Sequence, residues 1–111
     1  MKLRVLILDI LGGMINDKDL RPFRRKGAIV HITRSIRGAK TIMAKESIDL
    51  ILLDCRTLDD ETERLEFIRS HKESYQIFAV SPVDRARRKY VEAGCDMAIV
   101  SCQITDCLSA A

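Results

Sequence analysis

Asp9, Asp54 and Ser81 fall at the C-terminal ends of three short apolar runs, Leu3–Ile10, Ile48–Leu53 and Gln76–Val80. A pair of carboxylates brought close together holds a hard divalent cation such as magnesium through oxygen ligands. A hydroxyl beside such a pair can bond an oxygen of a bound phosphoryl group. An aspartate leaving a strand into a polar loop is ordinary in isolation, because Asp favours turns. Two acids and a hydroxyl at matched strand ends instead point to a real or inherited site for phosphoryl chemistry.

That reading depends on the elements that carry the three residues. The three runs are rich in Ile, Val and Leu and bounded by polar or turn residues, the pattern of strands buried on both faces of a parallel sheet. Ala28–Ile32 and Met97–Val100 are weaker runs of the same kind. Amphipathic stretches separate them. Asp19–Lys26 is a short helix whose start is placed by Pro22, tolerable only in a first turn, and whose stop is Gly27. Ile36–Lys45 sets Ile36, Ala39, Ile42 and Met43 on one face. Asp60–His71 does the same with Leu65, Ile68 and Thr62, and Val83–Ala93 with Val83, Ala86, Tyr90 and Val91, ending at Gly94. The tail Cys102–Ala111 has room for a last helix of about two turns, with Ile104, Cys107 and Leu108 on its apolar edge. Strict alternation predicts an α/β flavodoxin-like (βα)5 sandwich over residues 1–111. It has a five-stranded parallel sheet of order 2-1-3-4-5 and a truncated last helix. Strands 1 and 3 are then neighbours, so Asp9 and Asp54 face one crevice.

Composition narrows the classes. A chain of 111 residues suits one domain. No apolar run approaches the ~18 residues a membrane span needs, and the start of the chain lacks a signal-peptide pattern, so a cytoplasmic location is expected. Cys55, Cys95, Cys102 and Cys107 contain no CxxC pair, and neither His31 nor His71 completes a zinc pattern. The net charge of +3 is too small to argue for nucleic acid. Its distribution is uneven: residues 1–53 hold 11 Lys and Arg against 5 Asp and Glu, whereas residues 54–111 hold 8 against 11. No cysteine has an arginine six positions later, Leu11 stands where a second catalytic aspartate would follow Asp9, and Gly12-Gly13 lacks any phosphate-loop spacing. A small flavodoxin-like enzyme is thus the weakest reading.

The segment IDLILLDCRTLDDETERLEFIRS (48–70) resembles the centre of a response-regulator receiver (CheY-like) domain. AVSP (79–82), VEAGCDMAIVSCQ (91–103) and KGAIVHITRSIRGAKTIMAKES (26–47) resemble its fourth strand, its fifth strand and its second strand–helix unit. The resemblance implies a two-component phosphorelay signalling domain, not an enzyme. It places Asp54 at the phospho-acceptor position, Asp9 at the first metal-binding acid and Arg56 where a backbone carbonyl ligates the metal. Ser81 stands for the signalling hydroxyl. The implied cofactor is magnesium and the implied partner a histidine kinase or other signalling protein.

Several positions depart from the family pattern. The second acid is Ile10, the Met-Pro after the acceptor is Thr57-Leu58, and the glycine opening helix 3 is Thr62. The strand-5 aromatic is Ala98, and the Lys-Pro after strand 5 is Ser101-Cys102. Losing the lysine removes a fixed positive charge from a site meant for a phosphoryl group of about −1.5 to −2. Losing an acid weakens a magnesium site, because affinity follows ligand charge. The expectation is an atypical receiver signalling by protein–protein contact. A working Asp54-phosphorylated regulator of transcription or another output is the alternative. Direct DNA binding is not expected, since no helix-turn-helix region is present. Arg21, Arg24, Arg25 and Lys26 read as a solvated helix face. Arg85, Arg87, Arg88 and Lys89 read equally as a solvated face or as a surface for an acidic partner, and a homodimer or docking of a partner through the helix-4 and tail face is expected.

Overall fold

The computed structural model describes residues 2–57 and 59–110, with only the backbone of Ala110. Of the Thr57-Leu58 pair singled out above, Leu58 therefore lies outside the described residues. The chain runs β1 (Arg4–Leu8), α1 (Asp17–Arg25), β2 (Ile29–Thr33), α2 (Ile36–Lys45), β3 (Leu50–Asp54), α3 (Glu61–His71), β4 (Gln76–Val80), α4 (Asp84–Ala93) and β5 (Met97–Ile99). A 3₁₀ turn (Ser101–Gln103) and α5 (Ile104–Ala110) complete it. All strand pairs are parallel and the sheet order is β2-β1-β3-β4-β5, as the alternation of the sequence requires.

Strand side chains alternate between the two faces of the sheet, which divides the core. Leu6, Leu8, Ile51, Leu53, Ile77 and Ala79 pack under α2, α3 and α4 with Ile36, Ala39, Phe67, Ile68, Ala86 and Tyr90. Val5, Ile7, Leu50, Leu52, Phe78 and Val80 face α1 and α5, where Leu20, Ile104 and Leu108 close over them. Every residue of β3 is buried, as a central strand covered on both faces must be.

Local chemistry corrects some expected boundaries. Helix α1 begins at Asp17, because the Asn16 side chain caps it by accepting the Asp19 N–H at 2.9 Å. Pro22 therefore lies inside the helix and not in its first turn. Its missing N–H deprives only the Lys18 carbonyl, on an exposed turn where water can replace it. Asp60 takes the left-handed backbone ahead of α3, φ 57°, which a short polar side chain tolerates. On α3, Thr62 is exposed, and the buried face is Arg64, Leu65, Phe67 and Ile68. On α4, Ala86, Tyr90 and Ala93 are buried, whereas Val83 and Val91 face outward. The seven-residue α5 buries Ile104 and Leu108. It leaves Met97, on the same sheet face as Ile99, 48% exposed.

Candidate functional site

The β1–β3 pairing, with Leu8 beside Leu53, brings Asp9 and Asp54 together at the C-terminal edge of the sheet. The Asp9 N–H extends the ladder with a bond to the Thr33 carbonyl at 2.9 Å. The Asp54 side chain is wholly buried, that of Asp9 is 11% exposed, and between them lies the side chain of Arg56. Arg56 Nε donates to Asp54 Oδ1 at 2.8 Å, and its Nη2 donates to Asp54 Oδ2 at 2.9 Å. The same Nη2 reaches Asp9 Oδ1 at 3.0 Å and the Gly12 carbonyl at 3.0 Å. One guanidinium thus grips Asp54 through two parallel bonds, the strong geometry for an arginine on a carboxylate, and reaches Asp9 with the same nitrogen.

The backbone completes the shell of Asp54. The Arg56 N–H donates to Oδ1 at 3.1 Å and the Leu11 N–H to Oδ2 at 2.9 Å. Burial alone would push the Asp54 carboxyl up. The Arg56 side chain, the Leu11 and Arg56 N–H groups and the Arg56 charge outweigh it and hold the group below the usual carboxylate range. Asp9 in turn accepts the Met14 N–H at 3.2 Å, which ties down the Gly12-Gly13 turn, where φ is 83° and 72°.

Ser81 ends β4 beside this group, next to the strand position paired with Asp54. Its hydroxyl accepts the Val83 N–H at 3.3 Å, its own N–H bonds the Ile99 carbonyl, and Arg87 Nη1 donates to its carbonyl at 2.7 Å. The structure thus joins Asp9, Asp54 and Arg56 directly and sets Ser81 at their flank. Ile10 packs against the apolar cluster under α2–α4, as does Ala98, and Ser101 is exposed.

Two features were not read from the sequence. Arg56 was expected to matter through its carbonyl, and its side chain supplies the cation. Arg64 is buried to 1% exposure. It donates from Nε to the Tyr90 hydroxyl at 3.3 Å and from its terminal nitrogens to the Thr57 and Asp59 carbonyls. An arginine directly before Leu65 and one turn before Ile68 on an apolar face was the available signal. Burial pushes the Cys55 and Cys95 thiols up to about 12, which disfavours a thiolate at either.

A magnesium ion takes oxygen ligands in near-octahedral geometry and gives up its waters reluctantly. The donor set does not fit it. Both Asp54 oxygens and Asp9 Oδ1 already accept bonds from Arg56, and Ile10 offers no ligand. No group of three or more His, Cys, Asp or Glu side chains suited to a metal exists among the described residues.

No family model and no curated protein matches the sequence. Solved structures do match. The receiver domain of TorR, the TMAO respiratory system response regulator, is 27% identical; the match covers 88% of this chain and 82% of that one, with a TM-score of 0.68. A response regulator from Burkholderia pseudomallei, solved with a phosphorylated aspartic acid, a calcium ion and citrate, is 17% identical over 100% of this chain and 66% of its own, TM-score 0.74. An atypical orphan response regulator, described as revealing a phosphorylation-independent regulatory mechanism, is 17% identical over 97% and 93%, TM-score 0.72. The strand order, the five covering helices and these matches agree: this chain resembles the response-regulator receiver domains and has their fold.

Proposed function

We propose that this chain is an atypical receiver, one signalling domain over residues 1–111. It works in the cytoplasm by protein–protein contact rather than by phosphorylation of Asp54 or by catalysis. The observation that carries the reading is the closure of Asp54: its side chain has no exposed surface and both oxygens are hydrogen-bonded. An incoming phosphoryl group needs one of those oxygens free, and positive charge to stabilise the transferred group. Among the described residues the one cation touching Asp54 is Arg56, already engaged by the two carboxylates. The hydroxyl of Ser81, at the place of the signalling hydroxyl, accepts the Val83 N–H.

The partner is a histidine kinase or another signalling protein, and the docking face is that of α4 and the tail. Val83, Val91 and Met97 are 51%, 48% and 48% exposed there, beside the exposed basic side chains of Arg85, Arg88 and Lys89. Exposed apolar groups beside a cluster of basic side chains, with Asp84 and Glu92 interspersed, suit an acidic partner or a second copy. A single monomer boundary in sedimentation at high micromolar concentration would exclude the homodimer.

The deciding experiment adds acetyl phosphate or beryllofluoride with magnesium to labelled protein and follows the amide resonances. Small, unsaturable changes around Asp54 are expected. Large saturable shifts that vanish in Asp54→Asn would establish the opposite reading, a working phospho-switch.

A further inference from the structure

Phosphoryl chemistry at paired aspartates needs positive charge at the carboxylates, and here the side chain of Arg56 supplies it. Arg56 lies two residues from Asp54, and its backbone N–H and Nε meet the same oxygen, Asp54 Oδ1, at 3.1 and 2.8 Å. This short closed loop needs little ordering of the side chain. A guanidinium cannot give up its proton in a protein, so the charge is permanent. Nη2 carries two hydrogens and has three acceptors, on Asp54, Asp9 and Gly12, at 2.9 to 3.0 Å. It sits at the point where the two carboxylates converge. A divalent ion entering there has to shed waters, break these contacts and expel a tethered competitor, with no third carboxylate among the described residues to receive it.

We propose that Arg56 is the resident cation of this pocket. Its guanidinium occupies the space between Asp9 and Asp54 and keeps divalent metals out, so the pocket becomes a magnesium or manganese site only when that side chain is shortened. The proposal rests on the preceding reading only in taking this pocket as the receiver-type site. Metal exclusion and phosphorylation can fail separately. Phosphorylation of the wild-type chain without any divalent ion would defeat the preceding reading and leave this one standing.

The test titrates manganese chloride into labelled wild type, Arg56→Ala and Arg56→Ala/Asp9→Asn, reading paramagnetic broadening amide by amide. Broadening across the acidic stretch 59–66 marks loose surface association, and only saturable broadening at residues 9–14 and 54–57 counts. The wild type is expected to show none of the latter through the low-millimolar range. Arg56→Ala is expected to gain saturable binding at least about tenfold tighter than the wild type, lost again with Asp9→Asn. Thermal unfolding gives a second readout: magnesium raises the melting temperature of Arg56→Ala and leaves the wild type unmoved, since only a ligand of the folded state stabilises it. Saturable manganese binding by the wild-type pocket overturns the proposal. So does an Arg56→Ala or Arg56→Gln protein that keeps the native amide pattern yet gains no site. The wild-type titration stands on its own should both variants fail to fold.

Discussion

Arg56 and Arg64 leave the same stretch of chain, one in the loop after β3 and one in α3, and the protein uses them in opposite ways. Arg56 is 20% exposed and faces two carboxylates. Arg64 is 1% exposed and makes no ion pair among the described residues; its partners are the Thr57 and Asp59 carbonyls and the Tyr90 hydroxyl. A guanidinium matched with carboxylates sets the charge of a site and contributes little net stability, because desolvation offsets attraction. One matched only with neutral acceptors does mechanical work. Its fixed fork of donors reaches the Thr57 and Asp59 carbonyls of the loop and ties that loop to α4. Tyr90, pushed up to about 12 chiefly by burial, keeps its proton and accepts the Arg64 bond.

The comparison breaks most visibly at Arg64. Arg64→Met keeps much of the buried volume and leaves two carbonyls and a hydroxyl without their donor, at about 1 kcal/mol or more apiece. A loss of about 3–4 kcal/mol is expected in urea denaturation. Tyr90→Phe removes one of the three bonds and is expected to cost about 1 kcal/mol. A loss below about 1 kcal/mol for Arg64→Met would mean the loop carbonyls are satisfied in some other way, and the mechanical role would be withdrawn.

Arg56→Gln comes next. It leaves a buried carboxylate with its two backbone N–H partners, and a cost of about 2 kcal/mol at neutral pH is expected, softened by the partial exposure of the site. The distinguishing result is rescue: Arg56→Gln/Asp54→Asn regains most of the loss, because the unpaired charge is gone. No single neutralisation rescues Arg64→Met, which has no carboxylate partner to neutralise. Failure of the rescue would place Arg56 with Arg64 as a packing residue.

The two arginines also mark the limit of what the sequence discloses. The sheet order was legible because Leu50–Leu53 and its neighbours are continuously apolar and alternate with helices, leaving few topologies. Asp9 and Asp54 were legible for the same reason, since each sits at the end of such a run. The reach of Arg56 was not. It runs back from β3 to β1, a contact fixed by strand adjacency rather than by local pattern. The resemblance to receivers directs attention to its carbonyl, where the structure finds a side chain. Arg64 was not singled out, and Thr62 was placed on the buried face instead. The outward turn of Val83 and Val91 was equally hidden. A helical face broad enough for four apolar positions does not say which edge meets the sheet.

Acid separates the two sites further. The Asp54 carboxyl is held below its unfolded value, so its share of stability is fully present above the unfolded pKa of ~3.9 and is lost as pH falls through the folded value. Urea denaturation from about pH 6 to about pH 3 is expected to show a steeper decline for the wild type than for Asp54→Asn. Asp49, also held low by its bond to Arg4, declines in both proteins and cancels in the difference. Arg64 bonds no carboxylate among the described residues, so the cost of Arg64→Met is expected to stay level across that range. Parallel curves for the wild type and Asp54→Asn would show that Arg56 does not discriminate between the charged and neutral forms of Asp54.

The smallest effect tests whether burial, rather than charge as such, separates the two regions. Lys89 on α4 pairs with Glu61 on α3, joining the two helices that Arg64 and Tyr90 join from within. Its partners are 54% and 21% exposed, so water and salt compete for both ends, and such pairs contribute between about 0 and 1 kcal/mol. Glu61→Gln is expected to change stability by no more than about 0.5 kcal/mol, with the difference vanishing at high salt. The bond from Arg64 to Tyr90 is expected to be indifferent to salt, since neither partner is reached by solvent ions. A loss of 1 kcal/mol or more for Glu61→Gln, persisting at high salt, would mean that the α3–α4 joint is held by its surface ion pair, and Arg64 would lose its claim to be the tie between them.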